Sequence, residues 1–61
     1  MRNMADIDFV KKMIEHHKMA LSMSKKEWDS GKDQEIRQLA KKIYNAQKKE
    51  IDFMTAWLKA Q

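Results

Sequence analysis

Hydrophobic positions recur three and four residues apart through nearly the whole chain, which is the signature of amphipathic α-helix. At about 100° per residue, the first stretch gathers Ile7, Phe9, Val10, Met13, Ile14, His17, Ala20, Leu21, Ser24 and Trp28 on one side. Lys11, Glu15, Lys18, Ser22, Lys25 and Lys26 fall opposite. A second stretch gathers Ile36, Leu39, Ala40, Ile43, Tyr44, Gln47, Glu50, Ile51, Met54, Trp57 and Leu58, with lysines and Arg37 mostly opposite. The one break is "WDSGKDQE", residues 28–35. There Gly31 suits the left-handed position that closes a helix, Asp33 can cap the next helix, and Glu35 favours its positive end. Asp6, or else Asn3, would cap the first. The pattern predicts an all-α, single-domain chain over 1–61: a helix over about 6–29, a turn over about 30–33 and a helix over about 34–59, folded as an antiparallel hairpin.

Both apolar stripes are too broad for two helices to cover, so roughly half of each would stay wet in a lone hairpin. A homodimer closing into a four-helix bundle removes that exposure. Length strengthens the expectation, because 61 residues bury little core without a staple or partner. Cysteine is absent, so neither a disulfide nor a Cys-based zinc site can be that staple. Thirteen Lys and Arg against nine Asp and Glu give a net charge of +4. The lysines alternate with Glu15, Glu27, Glu35 and Asp52, the arrangement of a solvated surface, and no nucleic-acid partner is expected. No apolar run approaches the roughly 20 residues of a membrane span, and none has the form of a signal peptide. Membrane insertion is therefore not expected, and the compartment stays open.

Function is written where the binary pattern breaks, because a polar group aimed at a core costs free energy unless something satisfies it. His17, Gln47 and Glu50 break it. If the turn centres near residues 31 and 32, positions on the same level sum to about 63. Met13 is then level with Glu50, and His16 and His17 with Gln47 and Ala46, so the three polar residues converge on one layer. Two readings are open: a buried hydrogen-bond network that fixes helix pairing, or a carboxylate and an amide supporting a metal-bound imidazole.

Residues 13–23, "MIEHHKMALSM", supply donors for the second reading. Adjacent histidines point about 100° apart on a helix and cannot readily share an ion, whereas spacings of three or four can. Met13 pairs with His17 at i, i+4 and with His16 at i, i+3. His16, Met19 and Met23 form an H-x-x-M-x-x-x-M ladder along the edge of the apolar face, where a second hairpin would abut. Thioether with imidazole favours Cu(I), and by the same softness Ag(I), while the histidines admit Cu(II). Zinc is less well served. Against this stands the common use of methionine as core filler. A di-iron oxidase is not expected, since its Glu-x-x-His pattern is absent. Neither a nucleophile arrangement nor a phosphate-binding glycine loop is present, so a noncatalytic role is expected.

"DFVKKMIEHHKMALSMSK" (8–25) and "GKDQEIRQLAKKIYNAQKKEIDFMTAWL" (31–58) resemble the domain of unknown function 305 family, small ferritin-like helical proteins that include copper-binding and copper-resistance members. The specific marks are M-x-x-H-H at Met13, His16 and His17, then Ala20 and Met23, and Q-x-x-E-I-x-x-M-x-x-W-L from Gln47 to Leu58. The resemblance implies a hairpin assembling into a four-helix bundle, commonly in exported bacterial proteins, with copper handling as the role. Glu15 stands where the family often has proline, so the first helix is expected to run straighter. The expected donors are Met13, His16, His17, Met19 and Met23, supported by Gln47, Glu50 and Met54. The alternative is a structural dimerisation module without metal.

Overall fold

The computed structural model describes residues 3–61. Two helices account for nearly all of them: α1 over Met4–Ser30 and α2 over Gln34–Lys59. They pack side by side as a helical hairpin 48 Å long and 14 by 13 Å across, and there is no strand among the described residues. Helix α1 begins earlier than the apolar pattern suggests, because Asn3 is its cap: the Asn3 side-chain oxygen accepts from the Ala5 N–H at 2.8 Å. Asp6 sits inside the first turn, where its negative charge complements the helix dipole. Asp33 caps α2 by accepting from the Ile36 N–H at 3.1 Å. No proline interrupts α1, and it runs unbroken through Glu15 and both histidines.

Gly31 differs from expectation. Its φ of −71° and ψ of 163° are extended, not left-handed, and no described residue has positive φ. Glycine is required there by a close approach. The Gly31 N–H donates to the Glu27 carbonyl at 2.7 Å, and a Cβ would lie 2.5 Å from that same oxygen and collide with the Glu27 carboxylate.

The core is thin. Ile14, Ala40 and Met54 are its buried apolar side chains, joined by the buried polar residues His17 and Ser24. Two sides of the hairpin then diverge. Glu27 and Ile43 line a groove on one side with Met23, Leu39 and Ile36. Their immediate neighbours Trp28 and Tyr44, turned about 100° around each helix, meet on the other side, edge to face with centroids 5.9 Å apart. Lys41 lies over the Trp28 ring at 5.3 Å, and Arg37 Nε donates to the Trp28 carbonyl at 3.1 Å, satisfying an end-of-helix acceptor. This aromatic side is closed. The groove side is open, and exposes Phe9, Met19, Met23, Ile36, Leu39, Ile43 and Phe53.

Candidate metal centre

Two of the three polar residues that break the apolar pattern, His17 and Glu50, do meet, at a shifted register. His17 Nε2 lies 2.5 Å from Glu50 Oε1, so His17 pairs one helical turn beyond the level that the turn geometry assigned to it. The cause is the direction in which helical side chains lean. Each points toward its own N-terminus, and in an antiparallel pair those directions oppose. His17 leans toward the level of Met13 and Glu50 leans back toward the level of Ala46, so the two meet between.

The two ends of this contact sit in different surroundings. His17 is only 8% exposed, whereas the Glu50 side chain is 59% exposed. Beside them Gln47 is half-buried. His17 Nδ1 and Gln47 Oε1 are both buried with no hydrogen-bond partner among the described residues. Left without water or ion, such atoms carry a free-energy cost of about 1–3 kcal/mol each, so each calls for a partner.

The expected donors divide between two stretches of the open side. Phe9, Val10, Met13, Phe53 and Met54 line one stretch together with His17 and Glu50. Within it Met54 is buried and Met13 half-buried. His16, Met19, Ala20 and Met23 line the next stretch with Ser24 and Ile43. There His16 is exposed, Met19 is 61% exposed and Met23 71% exposed. The structure therefore brings Met13, His17, Glu50 and Met54 together as an inner group, and His16, Met19 and Met23 as an outer ladder. Among the described residues no three His, Asp or Glu side chains gather as they would around an ion. Any ion held here would depend on thioether sulfur as well as imidazole nitrogen, which selects soft ions. To that extent the donor set fits Cu(I).

One residue of the site escaped the sequence reading. Phe53 walls the inner group opposite Phe9. It falls outside the apolar stripe assigned to α2, although its spacing of three from Glu50 could have placed it. Ser24, on the apolar side as its spacing predicts, is buried at 7% exposure and lines the groove with Ala40. Trp28 and Tyr44 each fall on an apolar side by spacing, whereas their pairing with each other and with Lys41 carries no signal in the period of either helix alone.

A helical hairpin with a methionine and histidine cluster along one open side is the class that fold and geometry define. The chain matches, over residues 4–61, the family described as domain of unknown function (DUF305), and it belongs to that family. No curated protein and no solved structure matches it significantly. Among the described residues, no helix is long and apolar enough to cross a membrane.

Proposed function

We propose that the protein is a noncatalytic copper-binding module, with Cu(I) the favoured ion, that sequesters or passes on the metal as a homodimer closed into a ferritin-like four-helix bundle. The observation that carries the metal reading is His17: a buried imidazole, held at one nitrogen by Glu50 and unpartnered at the other, in a groove with Met13 and Met54. That is the arrangement in which a carboxylate orients a metal-binding histidine. His16, Met19 and Met23 add soft donors along the same side.

Support for the dimer comes from the open side. A face 48 Å by 14 Å covered by a second copy removes roughly 650 Å² from each chain, or about 1,300 Å² in all, within the range of specific interfaces. The exposed apolar residues along it, Phe9, Met19, Met23, Ile36, Leu39, Ile43 and Phe53, match what a bundle interior requires.

Titration with Cu(I) against a competing chelator tests the metal reading. Wild type is expected to hold the ion at least about 100-fold more tightly than His16→Ala/His17→Ala, a difference of about 2.7 kcal/mol. Equal affinities would remove the histidines from the site. The second reading, a dimerisation module without metal, is favoured by the same apolar side; it predicts a dimer whose melting temperature copper leaves unmoved.

A further inference from the structure

His16 and His17 are neighbours in sequence, yet only one of them has a fixed ring. His16 is exposed, and among the described residues no hydrogen bond orients it. The His17 ring is held by the contact from Nε2 to Glu50 Oε1. A carboxylate accepts and does not donate, so the proton in that contact belongs to Nε2. A neutral imidazole with its proton on Nε2 carries its lone pair on Nδ1, and Nδ1 is the buried atom without a partner. A proton on Nδ1 instead would bury an N–H with no acceptor, the costlier arrangement. Gln47 Oε1, three residues before Glu50 on α2, is likewise buried and unpartnered. Each is a buried lone-pair atom of the kind that a cation satisfies.

We propose that Glu50 is a positioning residue that fixes the His17 proton on Nε2, making Nδ1 the nitrogen that donates to metal, and that His17 thereby presents its donor toward the helix seam while His16 serves the outer ladder through either nitrogen. The metal half of this assignment rests on the copper reading; the tautomer half does not. In antiparallel helices Glu50 reaches His17 only through the opposed lean of the two side chains, so the shorter Asp at position 50 would fall short of the ring.

Nitrogen-15 NMR of histidine-labelled full chain tests both halves, first without metal and then with Ag(I), a diamagnetic ion that suits the same donors. Metal-free wild type at neutral pH is expected to show His17 as the Nε2–H tautomer. Ag(I) is expected to shift its Nδ1 resonance while Nε2 keeps its proton. Glu50→Gln, whose amide can donate as well as accept, should give a mixture of tautomers and bind Ag(I) roughly 10-fold more weakly, with circular dichroism reporting an intact helical fold. A metal-free Nδ1–H tautomer or an imidazolium in wild type overturns the proposal, whether or not silver binds. If His17 holds the Nε2–H tautomer but Ag(I) moves only His16, the donor assignment fails and the outer ladder retains the metal role. If no ion binds at all, the donor assignment and the copper reading fail together.

Discussion

The two sides of this hairpin are built from the same kinds of residue and end in opposite states. On one side Trp28 and Tyr44 pack edge to face and Lys41 lies over the indole, so large aromatic surface is half-buried within a single chain. On the other, Met23, Leu39, Ile43, Phe9 and Phe53 remain exposed, and the polar pair His17 and Glu50 lies in their midst. The aromatic side can close because two large rings and a long lysine span the gap between parallel cylinders. The groove side cannot, because Ser24, Ala20 and Ala40 bring the helices together through small side chains and leave the larger ones pointing outward. One side stabilises the hairpin, and the other is available to a second chain or an ion.

That contrast can be broken most severely on the open side. Leu39→Asp/Ile43→Asp places two carboxylates where a second copy would dock, and is expected to weaken self-association by at least about 1,000-fold, near 4 kcal/mol, as read by sedimentation across a concentration series. Trp28→Ala attacks the closed side. It should cost roughly 3 kcal/mol of folding stability in urea denaturation, a large share of what so small a domain possesses. Unchanged association of the folded fraction would sharpen the division between the sides.

His17→Leu probes the polar pair on the open side. Replacing a buried, half-satisfied imidazole by an apolar side chain of similar volume is expected to leave stability unchanged or raise it by about 1 kcal/mol, while copper affinity falls. Glu50→Ala, by contrast, orphans the His17 ring and should cost about 1–2 kcal/mol in the same melting experiment. A loss of stability in His17→Leu equal to that in Glu50→Ala would mean that the pair serves folding alone.

The smallest effect is expected at Lys25, a solvent-exposed residue on the Tyr44 side of the hairpin. Its pKa is raised, first by the hydrogen bond to Asp29 and then by that carboxylate's charge. A raised folded-state pKa means the interaction is fully present below the ordinary lysine range and is lost as pH rises through the folded value. Because Lys25 is solvent-exposed, Lys25→Met should leave the melting temperature at neutral pH within error, as for most surface pairs.

The helices were legible because apolar spacing, a single break and an Asp cap are local signals. Asp6 was the first choice of cap with Asn3 the alternative, and only the extended backbone at Asn3, with its side chain on the Ala5 N–H, decided for Asn3. Gly31 was legible as a stop signal but for another reason than its conformation: the Glu27 carbonyl approaches too closely for a Cβ. At the site, the convergence of His17 and Glu50 could be anticipated from periodicity, while its register could not. Counting residues from the turn locates Cα atoms, and the contact is made by side chains leaning in opposite directions.

By itself the sequence determined two amphipathic helices, a short turn, a surplus of apolar surface and a cluster of soft donors, since each follows from the order of residue types along one helix. Tertiary structure decided which surplus is sealed and which stays open. It also separated the donors into an inner group around His17 and an outer ladder along His16, Met19 and Met23. Helix periodicity assigns a residue to a face, but whether that face is covered depends on the size of the side chains opposite it on the other helix. Trp28 found Tyr44, whereas Met23 lies along an open groove with Ile36, Leu39, Ala40 and Ile43 of α2.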